Sequence, residues 1–324
     1  MNTTRRGLLA ALSGALVPAA WSQTGAAWPS RPLKILVGFP PGSSPDQTAR
    51  ALADGLSQRL GQAVVVENKA GASGNIAADA VAKASDDHTV GVLINGNLSI
   101  AKLLNPATPF DPAHDFAPVG LIGTAPLVLA AAASLAGNTP AELLAAARAL
   151  GDKGNYGTPG NGTVAHLGME LLKAKTGIAA LHVPFAGNPQ VVTALLAGQV
   201  KLALLPPALA MAQVRAGKLK AIGATSPVRS ALVPELPSLR EAGVAGAELE
   251  IWNAMAAPAN FPKAALAKLS AALADVVRSP EGRSRLFALG WQAVGASGEG
   301  LANRMKADTA LLGGIITSRG IRAD

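Results

Sequence analysis

The sequence predicts an α/β protein folded as two lobes, and three observations carry that reading. Short apolar and β-branched runs alternate with amphipathic helical stretches over most of the 324 residues. The alternation restarts near residue 141 after one long apolar run, 119–130. A second such run follows at 248–256. Alternation of this kind makes strand–helix units and largely parallel sheets. Two crossings then build one lobe from both ends of the chain and insert the middle as the other.

In chain order, a strand is expected over 33–39, a helix over 45–60, strands over 63–67 and 89–95, and a helix over 75–84 between them. Past the first crossing come a helix over 141–150, a strand near 154–157 and a helix over 163–176. Strands over 181–185, 201–205 and 219–224 follow, with helices over 189–197 and 208–216 between them. From 262 onward the pattern is mostly helical. The expected division is 27–124 with 251–324 as the first lobe and 125–250 as the second, with closure hinging near 121–125 and 251–255.

The first 26 residues read differently. Arg5 and Arg6 precede an apolar stretch, 7–20, and small residues follow near Ser22 and Ala26. That order is that of a secretory signal peptide, and the stretch is shorter than the roughly 20 apolar residues a membrane span needs. The paired arginines also fit twin-arginine export. Periplasmic location is therefore expected.

Composition removes several classes of function. The absence of cysteine excludes disulfides, thiolate metal sites and cysteine nucleophiles. A net charge of +8 raises the question of nucleic acid, but the basic residues are scattered. With four Trp, six Phe and one Tyr, few rings are available for stacking on bases. A basic surface that gathers anions is the simpler reading. There is no G-x-S-x-G elbow and no G-K-[ST] phosphate loop. His88, His114, His166 and His182 lie far apart with no i, i+4 ligand pair, so neither a metal site nor a cofactor is expected and the chain does not read as an enzyme. His166 is left with two roles, a donor in the cleft or a structural residue. Asp86–Asp87, Asp111 and Asp115 sit in turn-forming contexts.

What recurs is a junction: strand, small-residue turn, capped helix. After the first strand stand Phe39, Pro40, Pro41, Gly42, Ser43, Ser44, Pro45 and Asp46, with Ser44 as the expected cap and Gln47 closing a capping box. Gly160, Asn161, Gly162 and Thr163 repeat the logic with Thr163 as cap, and Asn188–Pro189 opens a third helix. Each junction sets free amides and the positive end of a helix dipole at a strand tip, where an anion can be held without arginine.

These segments, in order, carry a resemblance. Trp28-Pro29-Ser30-Arg31-Pro32, Phe39-Pro40-Pro41-Gly42 with Asp46, Val64-Val65-Val66-Glu67-Asn68-Lys69 and Gly71-Ala72-Ser73-Gly74-Asn75 come first. Asp115-Phe116-Ala117-Pro118-Val119, Gly160-Asn161-Gly162-Thr163, Val183-Pro184-Phe185, Ala216-Gly217-Lys218-Leu219, Pro237-Ser238-Leu239-Arg240-Glu241-Ala242-Gly243 and Trp252 continue the set. The chain resembles the Bug family of extracytoplasmic solute receptors, the binding components of tripartite tricarboxylate transporters, over nearly its whole length. The resemblance implies a type II periplasmic-binding fold, two α/β lobes joined by two crossing strands, closing as a monomer on a small carboxylate. It implies membrane transporter subunits as partners; a sensor of the same fold with a membrane signalling partner is the alternative. Carried onto this chain, the ligand loops are Phe39, Pro40, Pro41, Gly42 and Ser43, then Asn95, Gly96 and Asn97, then Gly160, Asn161, Gly162 and Thr163.

The chain departs from the family pattern where Ser43 replaces a second glycine, where Phe185–Ala186 before Gly187 replace a tyrosine and a polar residue, and where Leu205 replaces an aspartate. Exchanging polar handles for apolar groups points to a monocarboxylate or a ligand with an apolar body. Alternatively these positions lie off the ligand; the sequence leaves both open.

Overall fold

The computed structural model describes residues 28–322; the expected signal peptide lies outside them. The chain opens with β1 (Leu33–Val37), α1 (Ser44–Leu60), β2 (Val64–Asn68), α2 (Asn75–Ala82) and β3 (Thr89–Ile94). A π-helical turn, Gly96–Ile100, leads into α3 (Ala101–Leu104). The buried residues of α1, Ala49, Leu52, Leu56 and Leu60, recur at helical spacing and put one face on the sheet. Gly61, left-handed at φ 73°, ends the helix by returning its amide to the Ser57 carbonyl.

The apolar run at 119–130 is not one crossing strand but two strands, β4 (Phe116–Pro126) and β5 (Val128–Ala132), that belong to different sheets. Continuous burial on both faces had concealed the break. Then come α4 (Pro140–Ala149), β6 (Gly154–Thr158), α5 (Val164–Thr176), β7 (Ala180–Pro184), α6 (Asn188–Leu196), β8 (Leu202–Leu205), α7 (Pro207–Arg215) and β9 (Leu219–Ala224). The return crossing is β10 (Glu250–Pro258), followed by α8 (Lys263–Arg278), α9 (Pro280–Ala288), β11 (Gln292–Ser297) and α10 (Gly298–Arg319).

The first sheet has the order β11-β4-β10-β3-β1-β2 and the second β7-β6-β8-β5-β9. The sheets are mixed rather than largely parallel: β1 pairs parallel with β2 and β3, while β10 runs antiparallel to both β3 and β4. The reason is connectivity. The strand that leaves the first sheet and the one that returns to it must run in opposite directions.

Residues 121–125 and 251–255, the expected hinge, lie within the strand pairing of β4 and β10. The chain changes sheets at Leu127, and there Thr225 gathers both connections. Its Oγ1 accepts from the Leu127 amide (2.8 Å) and donates to the Leu249 carbonyl (2.6 Å). Its backbone bonds the same two residues at 2.8 and 3.0 Å. The far end of α10 adds a third link, since Leu312 and Ile316 enter the apolar core beneath the second sheet while Leu301 and Met305 pack under the first.

Candidate functional site

Two adjoining cavities occupy the cleft between the sheets. The hinge-side cavity, about 50 Å³, is bounded by the helix starts Ser44, Val164 and Asn188 and by Leu127 and Trp252 of the crossing region. The loop-side cavity, about 400 Å³, lies among Ser73, Asn75, Asn97, Asn161 and Phe185. Ile94 and Thr163 border both. The lobes meet around them: a Cβ on Gly160 would lie 2.4 Å from the Ser73 Oγ, so only glycine permits that approach, and Gly160 is also at φ +134°.

Of the residues expected to touch ligand, Phe39, Asn95 and Thr163 line the hinge-side cavity. Gly96, Asn97, Gly160, Asn161 and Gly162, with Phe185 and Ala186, line the loop-side one. Pro40, Pro41, Gly42 and Ser43 line neither, nor do Asp46, His166, Gly187 and Leu205. In β8 it is Leu204 that borders the cavity, while Leu205 packs with Val128 and Val191 on the opposite face, as strand alternation requires.

The α1 junction differs from expectation in its cap. Ser43, extended at φ −69° and ψ 159°, is the cap residue, and its side chain makes no capping bond. Asp46, in the first turn, reaches back instead: its Oδ2 accepts from the Gly42 amide at 2.9 Å. Its Oδ1 accepts from Arg50 Nε and Asn68 Nδ2, each at 2.9 Å, and the same Asn68 nitrogen donates to the Phe39 carbonyl at 2.9 Å. The carboxylate is the stronger acceptor and organises the whole turn. The hydroxyl of Ser43, fully buried, is left without a partner among the described residues.

At the α5 junction Thr163 caps as expected, its Oγ1 accepting from the His166 amide (3.4 Å) and donating to the Gly160 carbonyl (2.9 Å). His166 sits behind this loop, where its Nδ1 accepts the Gly162 amide at 3.1 Å. The amides of Gly160, Gly162 and Thr163 are thus all spent within the second lobe. The first-turn amides of Ser44, Val164 and Ala165 are not; helix geometry gives them no internal acceptor. At the third junction Asn188, 6% exposed, lines the hinge-side cavity with its Oδ1 unpartnered among the described residues.

Sequence reading missed the wall supplied by Leu127, Leu204 and the β10 residues Ile251, Trp252 and Asn253. Trp252, fully buried, donates its Nε1–H to Asp308 Oδ2 in α10 at 2.6 Å. Asn95 Nδ2 reaches the same oxygen at 3.4 Å and the Glu250 carbonyl at 3.2 Å, and Arg304 Nε donates to Asp308 Oδ1 at 2.8 Å. The floor of the cleft is therefore held from behind by one buried carboxylate. Among the described residues, neither cavity is lined by a charged side chain, and no cluster of potential metal ligands occurs.

Behind the Gly160–Thr163 loop the rings of His166, His182 and Tyr156 stack, with centroids 4.0 Å apart for the histidine pair and 5.0 Å for His182 and Tyr156. Burial, reinforced by the neighbouring His166, pushes His182 down to about 4, and burial lowers His166 as well. Glu170 favours charge on both rings and Lys173 opposes it. Because the fold holds both imidazoles neutral, their contribution is complete above the ordinary value of 6.5 and is lost as pH falls from there through about 4. Thermal unfolding is expected to show Tm falling over that window. His182→Gln is expected to flatten the slope, and an unchanged slope would remove this account.

The fold and cleft define a class: a solute-binding protein whose two α/β lobes enclose a small molecule. The family comparison narrows this. The profile described as Tripartite tricarboxylate transporter family receptor matches residues 48–321, and the chain belongs to that family. It is 35% identical over 312 residues to a Pseudomonas sp. (strain P51) protein described as a UPF0065 protein in the tcbD-tcbE intergenic region, covering 95% of this chain and 92% of that one. The periplasmic binding protein BugD superposes with a TM-score of 0.87 at 30% identity, over 92% of this chain and all of its own. An R. palustris protein solved with adipate gives 0.88 at 30% identity, with the same coverage. No helix among the described residues is long and apolar enough to cross a membrane.

Proposed function

We propose that this protein works in the periplasm, closes its lobes on a small carboxylate and delivers it to a tripartite membrane transporter. The observation that carries the reading is convergence. The starts of α1 and α5, from opposite lobes, border one cavity, and the start of α6 at Asn188 joins them. Unpaired amides and helix dipoles of this kind bind anions, each dipole contributing about 0.3–1 kcal/mol at exposed sites and more when buried. The amides of Ser44, Val164 and Ala165 hold the carboxylate, with Asn188 Nδ2, once its carboxamide is turned inward, as a further donor. Asp46, through Gly42 and Asn68, and His166, through Gly162, keep the two loops in shape for it. The basic surface, +8 over the chain, draws the anion in.

The family description supports delivery to a transporter, and the signal-like segment at 1–26 supports export. The test is a thermal-shift screen of refolded, ligand-stripped protein against aliphatic, hydroxy and aromatic carboxylates. A true ligand at a hundred times its Kd adds about 2.7 kcal/mol of stability. A flat response to every carboxylate would contradict the proposal.

A further inference from the structure

We infer that the ligand is a monocarboxylate with an apolar body, an inference that rests on the carboxylate-binding reading above. The cleft has one place for a charge. In the hinge-side cavity, uncommitted amides at the starts of α1 and α5 meet the buried Asn188. Its Oδ1 is an acceptor without a partner among the described residues, so the carboxamide serves an anion only when turned to present Nδ2–H. A carboxylate seated there has donors from both lobes. Around it stand Phe39, Leu127, Leu204, Ile251 and Trp252, which offer a negative charge nothing except the indole N–H, and that is already given to Asp308.

The loop-side cavity does not supply a second charge site. It is lined by no charged side chain among the described residues, and several of its donors are already spent. The amides of Gly74 and Asn75 go to the carbonyls of Gly71 and Ala72, and Asn97 Nδ2 donates to the Ser73 carbonyl (3.1 Å) and to Asn75 Oδ1 (2.8 Å). The amides of Gly160 and Gly162 are spent within their own lobe. Leu104, Phe185 and Ala186 complete an apolar side. A second carboxylate placed here would give up its hydration for walls without a charged side chain and with several donors already spent, a cost of several kcal/mol for an uncompensated ion. The Asn161 side chain suits a hydroxyl or keto group; one amide does not neutralise a charge.

This ground differs from the sequence substitutions, since Ser43 and Leu205 line neither cavity. It also separates this chain from the neighbour solved with adipate, a dicarboxylate.

The test compares hexanoate with adipate, equal in chain length and differing by one carboxylate, by titration calorimetry of refolded, ligand-stripped protein at pH 7, where both acids are fully ionised. Hexanoate is expected to bind at least 100-fold more tightly. In Ala186→Arg, which sets a cation at the exposed rim of the loop-side cavity, adipate is expected to gain at least 10-fold relative to hexanoate. Adipate binding as tightly as hexanoate to the unaltered protein would overturn the inference and leave the carboxylate-binding proposal standing. Heat from neither acid, together with a flat carboxylate screen, would overturn both.

Discussion

Replacing Asp308 with alanine is expected to destabilise the protein by about 3 kcal/mol and to weaken ligand binding as well, because it strands several buried donors at once. The indole of Trp252 and the amide of Asn95 both lose the oxygen they share. Arg304 loses its nearer carboxylate and keeps only Glu250, at 3.2 Å. Trp252 and Asn95 line the hinge-side cavity, so the loss reaches the site although Asp308 never touches it. Chemical denaturation measures the first effect and ligand titration the second. Asp308→Asn keeps one acceptor and is expected to recover part of both. A loss below about 0.5 kcal/mol, the level of an ordinary surface substitution, would show that α10 does not brace the cleft.

Thr225→Val is expected to cost about 2–3 kcal/mol. Valine keeps the shape of threonine while removing the hydroxyl that bonds the Leu127 amide and the Leu249 carbonyl. Both leucines are buried, at 1% and 4% exposure, so water does not readily replace the lost partner. Thr225→Ser retains the oxygen and is expected to lose less than 1 kcal/mol. The check is the urea midpoint at constant m-value. Equal midpoints for the valine and serine variants would mean that the hydroxyl does not hold the two crossings together.

Local chemistry made much of this fold legible in the sequence. The strand at Leu219–Ala224 stands where expected, and α1 was marked by its apolar spacing and Pro45. Thr163 was readable as a cap because capping is a contact across three residues. What escaped depends on partners far away in sequence. Asp308 and Trp252 lie 56 residues apart, and no local pattern distinguishes a cavity wall from core at Trp252 or Leu127.

Elsewhere the signal was present but ambiguous. The departure at Leu205 was noted, yet strand alternation gives the cavity to Leu204, and one residue of parity is beyond a propensity argument. At the α1 junction, Ser43 and Ser44 are equally good caps by composition, and only the reach of Asp46 to Gly42 decides between them. The strand β11 was read as part of a helical tail. Its sequence, Gln-Ala-Val-Gly-Ala-Ser, has a single β-branched residue, and its register with β4 shifts around Gly295, at φ 61°.

The central claim is that one carboxylate is held where the helix starts of the two lobes converge, and a crystal structure with bound hexanoate tests it most directly. The carboxylate oxygens are expected within hydrogen-bond distance of the first-turn amides at Ser44 and Val164 and of Asn188 Nδ2, with the hydrocarbon against Phe39 and Trp252. A carboxylate found only outside the cleft, or seated in it away from those helix starts, would contradict the account.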